Sequence, residues 1–427
     1  MKIIIIGNGI AGNQVAFTLT QENTPNDIYI VSAEDVPEYD PCSLPYFLGG
    51  DVEKNAVFRK KIRDYARSNI KLIFNSRIIS IDPDQKTIKT DKNIEMDYDK
   101  LVLAHGGSLF IPPIRGIKNK GVFSCKQLLE TEKLNLHKGK SAVVIGSGAI
   151  GIEAAEALKK KGYEVHIIEL FDWILPTLFD EPTAKRLENS LKSYGISVCT
   201  KEKVLEIKGE THVTGVVTDR RELECDTVVV ATGVVAGTQL AETAGIETGR
   251  GIRVNEYMET SVSDIYACGD CVETFDACTG EPVMFQLKHN AIEQGKIVAK
   301  NIAGKKIKYS GAHAFARAHF FNTHAASFGS TMRGINTDSS DTRIIEREDG
   351  ENYLRVILKN GKIAGGQAIG KYAEITGLLI GAMRRKDDID LLRAKWDSIV
   401  RSKSPCLLPQ LRLGHIFGFT GPKNQAA

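Results

Sequence analysis

Lys2-Ile-Ile-Ile-Ile-Gly7-Asn-Gly9-Ile-Ala11-Gly12 is the stretch whose reading decides the fold. Four consecutive isoleucines, Ile3 to Ile6, predict a short strand buried on both faces, as parallel sheets require. The run stops at Gly7, and an apolar pattern of helical spacing begins at Ile10 and continues through Val15, Ala16 and Leu19. Strand, glycine turn and helix start make a dinucleotide-binding fingerprint. In that reading Gly7 permits the tight turn, Gly9 lets backbone approach a pyrophosphate, and Gly12 lets the helix pack closely on the strand. The phosphates would then rest on unpaired N–H groups at the positive end of the helix.

A single G-x-G-x-x-G is weak evidence, because glycine-rich turns arise by chance. A second copy changes its weight: Ser141-Ala-Val-Val-Ile-Gly146-Ser-Gly148-Ala-Ile150-Gly151-Ile-Glu153-Ala-Ala155-Glu156 again leads out of an apolar strand. Both copies carry alanine four residues after the third glycine, Ala16 and Ala155, a small residue for close helix packing. One chain with two such fingerprints binds two dinucleotides. The chemically sensible pair is a nicotinamide and a flavin, which exchange hydride.

Composition bounds the rest. With 427 residues, two or three domains are expected. The 56 Lys and Arg nearly cancel the 53 Asp and Glu, so no nucleic-acid footprint and no electrostatic membrane anchor is indicated. No apolar run approaches the roughly 20 residues of a membrane span. The N-terminus lacks the longer apolar core and cleavage site of a signal peptide, and a cytoplasmic enzyme is expected. The eight cysteines are scattered, which argues against disulfide staples and leaves redox chemistry for any special one.

The second strand is expected over Ile28–Val31. Ser32 occupies the position that often holds a ribose-binding acid; Glu34 is the candidate ribose partner, with a solvated loop acid as the plainer reading. Then comes Glu38-Tyr39-Asp40-Pro41-Cys42-Ser-Leu-Pro-Tyr-Phe-Leu-Gly-Gly50. Together with the two fingerprints, this stretch resembles the pyridine nucleotide–disulfide oxidoreductase superfamily. Its C-x-L-P-Y core is similar to the single-cysteine branch, which includes coenzyme A-disulfide reductases and NADH oxidases. The resemblance implies that Cys42 lies beside the flavin and cycles between thiol and an oxidised form, chemistry that needs a stabilised thiolate. The plainer reading of Cys42 is a small buried residue in an N-terminal helix. Tyr39-Asp-Pro41 departs from the small, Ser-Phe-containing lead-in of that branch. The segment also resembles ferredoxin and nitrite reductase-type relatives, many of which lack a redox cysteine here.

Residues 70–103 read as β-rich, with a turn at Asp82-Pro83-Asp84 and a strand at Lys100–Leu103. Ala104-His105-Gly106-Gly107 follows, where the family has Ala-Thr-Gly. Ala104 and Gly106 stand as cofactor-binding positions, and His105 as a hydrogen-bonding substitute for threonine or a titratable group. Ile111–Gly116 marks the crossing to a second domain. There the strand Tyr163–Glu169 ends in an acid 23 positions after Gly146, at the distance of a ribose-binding carboxylate. Glu169 would repel a 2′-phosphate, and no arginine follows, which favours NADH. Glu153 resembles the family glutamate on the nicotinamide side, or is simply a first-turn acid. Ala231-Thr-Gly233 restores the element missing from the first copy.

Thr260–Cys271 resembles the family's second flavin signature, in which Gly269 and Asp270 meet the pyrophosphate and ribityl chain. Cys268-x-x-Cys271 tempts a metal or dithiol reading, but Asp270 has a better role inside it and no fourth ligand is spaced for a cluster, so no metal is expected. Leu287, Ala291, Gln294 and Gly295 open a helix similar to the family's flavin-ring helix, running to Gly304. Beyond Tyr309 the resemblance weakens. Asn352–Leu358, Asn360-Gly361 and Lys362–Gly366 predict a hairpin with an Asn-Gly turn. Helical patterns cover Ile375–Met383 and Asp388–Val400, before Ser404–Pro409 and a glycine-rich end, Gly414–Gly421. Leu407, Leu408, Ile416, Phe417 and Phe419 are unusual for a free tail.

The expected architecture is α/β. It has a discontinuous FAD-binding domain (1–112 and 237–308), an inserted NAD-binding domain (113–236), and a C-terminal α+β interface domain with tail (309–427). The expected activity passes hydride between NADH and FAD, then electrons through Cys42 to a disulfide, persulfide or peroxide. In the alternative, an NAD-linked subunit exchanges electrons with an iron–sulfur protein. A redox-sensing, non-enzymatic NAD/FAD-binding protein is the third possibility. A homodimer or a complex subunit is expected.

Overall fold

The structure is a computed structural model that describes residues 1–22, 26–332, 341–395, 413, 416 and 417. The chain divides into two compact units, Met1–Gly146 with Ala157–Val165 and Val204–His313, and Ser147–Glu156 with His166–Lys203 and Ala314–Ala427.

The first unit is built on a five-stranded parallel sheet in the order Ile265–Ala267, Lys100–Leu103, Lys2–Ile6, Asp27–Val31, Ile70–Ile73. The four isoleucines form its central strand and are almost wholly buried, as the unbroken apolar run requires. Ile6 lies opposite Val31 on one side and Leu103 on the other. Gly7, Ser32 and Ala104 therefore emerge together at the carboxyl edge, where the strand order reverses and α/β folds bind ligands. The helix Ile10–Leu19 starts there and packs along the helix Lys288–Ile302.

The β-rich stretch forms an antiparallel sheet, Ile78–Asp82, Thr87–Thr90 and Glu95–Asp97. The second fingerprint's strand, Ser141–Ile145, runs parallel to Thr227–Val230, which pairs in turn with Val122–Phe123. Gly107–Leu109 and Val234–Ala236 pair antiparallel.

In the second unit, Phe315–Phe320, Thr323–Gly329, Lys362–Ile369, Asn352–Lys359 and Thr342–Asp349 form an antiparallel sheet in that order. The expected hairpin is its centre. Asn360 and Gly361 take φ of 49° and 70°, the two positive values a tight primed turn needs. Helices Lys371–Glu374, Thr376–Arg385 and Ile389–Ala394 follow. They bury Leu379, Met383 and Leu392 with Phe328, Leu354 and Val356 of the sheet. The pattern expected over Asp388–Val400 is thus met up to Ala394, and 396–400 lies outside the described residues. Of the tail, Ser404–Pro409 and Phe419 lie outside them too. Phe417 is buried with Leu413 in this core, and its carbonyl accepts a 2.7 Å hydrogen bond from Arg347. Among the described residues no helix is long and apolar enough to cross a membrane.

Candidate active site

Gly7 takes φ of +110°, and a Cβ there would lie 2.4 Å from the Ala104 carbonyl oxygen. Gly146 repeats this at φ +102°, with the Ala231 carbonyl oxygen again 2.4 Å away. A Cβ on Gly12 would fall 2.1 Å from the Gly7 carbonyl oxygen, so the first turn and its helix touch backbone to backbone. Around Gly9, Gly106, Gly148 and Gly233 a Cβ would meet nothing within 4 Å. Close packing behind the loop and open space in front of it are what a pyrophosphate cradle requires. The two glycine turns fit the dinucleotides that their sequence implies.

Other predicted positions of the first unit converge on that cradle. Ala11 and Ala291 are buried, and a Cβ on Gly269 would lie 2.8 Å from the Cβ of Ala11. The Gly269 N–H donates to Gln294 Oε1 at 2.8 Å, and Gly295 lets the helix Lys288–Ile302 close on the Ala11 carbonyl. Asp270 is half-buried, and its carboxyl makes no hydrogen bond to any described residue. Burial raises its pKa while Lys126 opposes the rise. A half-buried acid left without a donor fits a ribityl hydroxyl.

Glu34 sits just past the second strand, half-buried, with Tyr39 Oη donating to its Oε1 at 3.3 Å and Ser32 Oγ accepting from its N–H at 3.1 Å. Burial raises its pKa. His105 donates from Nε2 to the Gly237 carbonyl at 2.7 Å, and burial lowers its pKa. Its hydrogen bond to a backbone carbonyl is one that a threonine hydroxyl could also make.

In the second unit Glu169 is 5% exposed and accepts from the Ser147 N–H at 2.9 Å, Ser147 Oγ at 2.5 Å and the Phe171 N–H at 2.9 Å. The acid thus braces the glycine turn through Ser147 with lone-pair capacity left. Glu153 is half-buried on the helix that follows. Burial first, and the Glu156 carboxylate second, push its pKa up to about 8. Ile150 is exposed at the helix start, and Gly151 is buried.

Cys42 is exposed, in a 3₁₀ turn Pro41–Ser43 that leads into the helix Leu44–Gly49. The plainer expectation of a small buried residue does not hold. Leu44, Pro45 and Leu48 supply the anchoring instead. Asp40 caps the turn, its Oδ1 accepting from the Cys42 N–H at 3.1 Å, and its other oxygen pairs with Lys288. Cys268 and Cys271 are wholly buried, with the Cys271 thiol directed at the Leu103 and Cys268 carbonyls. Among the described residues no group of side chains suits a metal ion.

Sequence reading missed Lys288, Lys126 and the network in which Tyr65 Oη donates to Asn13 Oδ1 at 2.8 Å and accepts from the Glu38 N–H at 3.0 Å. Lys288 and Asp40 are 248 residues apart, beyond any local signal. Asp40-Pro41 does carry one, since Asp followed by Pro is the start of a capped turn.

Two glycine-turn dinucleotide cradles, one sharing its unit with an exposed cysteine, define a two-dinucleotide oxidoreductase. A family model described as pyridine nucleotide-disulphide oxidoreductase matches residues 1–295. An NADH oxidase of Methanocaldococcus jannaschii is 32% identical over 392 residues, covering 87% of this chain and 88% of the relative. An NAD(P)H coenzyme A polysulfide/persulfide reductase of Pyrococcus horikoshii is 31% identical over 352 residues, covering 80% and 78%. The solved structure of an NAD-dependent persulfide reductase from A. fulgidus superposes with a TM-score of 0.88 at 31% identity, over 92% of this chain and 79% of that one. The chain belongs to the pyridine nucleotide-disulphide oxidoreductase family. It is an oxidoreductase with FAD and NAD(H) as its cofactors.

The two kinds of glycine separate experimentally. Gly12→Ala should destabilise the protein by about 1–3 kcal/mol through overpacking against Gly7. Gly9→Ala should cost less than about 1 kcal/mol of folding stability yet weaken flavin retention. Thermal unfolding of the apoprotein and flavin-to-protein absorbance ratios read the two effects. Equal stability losses would contradict the assignment.

Proposed function

We propose that this chain oxidises NADH and passes the electrons through Cys42 to a small sulfur acceptor, a disulfide or persulfide, with peroxide as the other candidate. The observation that carries the reading is a chain of contacts within the first unit. Asp40 holds the Cys42 turn and pairs with Lys288, and Lys288 opens the helix whose Gln294 and Gly295 grip Gly269 and Ala11 of the flavin cradle. The exposed thiol is thereby tied to the flavin-binding element. The relatives named as polysulfide or persulfide reductases support the same reading.

A flavin held by this cradle would supply the acceptor for the nicotinamide hydride and the two-electron link to sulfur. Cys42 thiolate attacks one sulfur of the acceptor, forming a mixed disulfide and expelling the other half as a thiol after protonation. Two electrons originating from NADH then cleave that bond, one proton is taken up, and the second thiol leaves with Cys42 again a thiolate. Overall one NADH and one proton convert one disulfide to two thiols. Asp270 and Glu34 would hold the flavin nucleotide, Glu169 the nicotinamide ribose, where its charge disfavours NADPH. Glu153, protonated near neutrality, would donate a hydrogen bond on the nicotinamide side.

The reading includes an FAD domain of 1–112 and 237–308, an NAD domain of 113–236 and an interface domain of 309–427. The paired strands Gly107–Leu109 and Val234–Ala236, which flank the two crossings, support those limits. It also includes self-association through the third domain and a cytoplasmic setting, with which the seven cysteines among the described residues, none of them in a disulfide, are consistent.

A second reading, electron exchange with an iron–sulfur protein, draws on the basic segment beside the Cys42 loop. Lys61, Arg63 and Arg67 are exposed and form no ion pair among the described residues, and the segment joins the loop at Tyr39 and Phe58. An acidic carrier would find complementary charge there. Under that reading, Arg63→Glu/Arg67→Glu should cut carrier reduction at low salt by about 10-fold or more, and an unchanged rate removes it.

For the main reading, Cys42→Ser should abolish NADH-dependent disulfide reduction while NADH-to-dye activity survives, because hydride transfer does not use the thiol. Steady-state assays with both acceptors decide it. Retained disulfide turnover sinks the proposal.

A further inference from the structure

Lys288 stands where helix physics disfavours it. It is the first residue of the 15-residue helix Lys288–Ile302, whose first turn holds no acid and whose N-cap, Leu287, makes no side-chain hydrogen bond. A cation there opposes the helix dipole. Its partner is Asp40, whose own backbone is fixed three ways. The Asp40 N–H donates to the Val57 carbonyl at 2.8 Å, its carbonyl accepts from the Ser43 N–H at 2.9 Å, and its Oδ1 accepts from the Cys42 N–H at 3.1 Å. Only 17% of the Asp40 side chain is exposed, so its charge, which meets the Cys42 backbone N–H, is poorly screened.

We propose that Asp40 and Lys288 are positioning residues for Cys42: Asp40 holds the turn that presents the thiol, and Lys288 cancels the carboxylate that would otherwise oppose thiolate formation. The proposal rests on the redox reading of Cys42 and deepens it.

The other acids near the turn are already matched, and the cations beside it that form no ion pair among the described residues, Lys61, Arg63 and Arg67, are exposed to solvent. Glu38, on the same segment and pushed up to about 7 by burial, pairs with Arg59 Nε at 3.2 Å. Lys60 lies over the Phe17 ring at 4.1 Å. The helix Leu44–Gly49 carries no charge, and Asp51 beyond it pairs with Lys160 at 2.9 Å. On the helix Leu128–Leu136, packed against Leu44–Gly49, Glu132 pairs with Lys54 and Glu130 with Lys133. Removing Lys288 therefore leaves Asp40 as the one unmatched carboxylate among these groups. Removing the Asp40 charge leaves Lys288.

The two deletions should act in opposite directions. In the flavin-loaded full chain, the alkylation rate of Cys42 by iodoacetamide is followed against pH, with the Cys42 peptide read by mass so that the exposed Cys278 does not interfere. Lys288→Met should slow alkylation at neutral pH by about 10-fold and move the profile to higher pH. Asp40→Asn should speed it and move the profile down, and the double variant should return to within about 3-fold of the parent. Lys288→Arg should behave as the parent. If Lys288→Met loses its flavin, Lys288→Gln carries the same expectation. Single variants that stay within twofold of the parent, or that shift the profile in the same direction, overturn the proposal. Disulfide turnover that persists in Cys42→Ser would overturn the redox role of Cys42 while leaving the alkylation cycle intact, so the two failures are told apart.

Discussion

The helix Ile10–Leu19 can reach the strand Lys2–Ile6 only because residue 12 has no side chain, the Gly7 carbonyl oxygen lying 2.1 Å from where a Cβ would be. That contact sets where the helix begins and leaves the loop's N–H groups facing open space. The carboxyl edge of the sheet then gathers Gly7, Ser32 and Ala104 in one place, since the parallel register aligns Ile6 with Val31 and Leu103. Gly269 and the helix Lys288–Ile302 close on the same loop from elements more than 250 residues further along the chain. Every later feature of the flavin site hangs on this backbone contact.

Where local chemistry determined conformation, the sequence was sufficient. Four isoleucines in a row matched a strand buried on both faces of a parallel sheet, and Asn360-Gly361 supplied the two positive φ values that its hairpin uses. The repeated glycine spacing predicted two cradles, and both turns press on the carbonyl of the alanine, Ala104 or Ala231, that follows a neighbouring strand. His105 stands where the second copy has Thr232, and it donates one hydrogen bond to a backbone carbonyl.

Long-range charge was not legible. Lys288 carries no local mark, because an ion pair over 248 residues is decided by the closed fold rather than by spacing, and Lys126 meets Asp270 only through that fold. Cys42 was open between a packed and a presented residue, and what settled its exposure was the packing of its neighbours Leu44, Pro45 and Leu48. The buried Cys268 and Cys271 show the converse, since a dithiol spacing placed wholly inside an apolar core is packing rather than chemistry.

The central claim is that Cys42 is a redox centre in electronic contact with the flavin. Anaerobic titration of the purified, flavin-loaded chain with NADH counts its electron capacity directly. A cysteine that cycles with the flavin adds its own pair, so uptake should exceed two electrons per flavin. Saturation at two electrons per flavin would contradict the account.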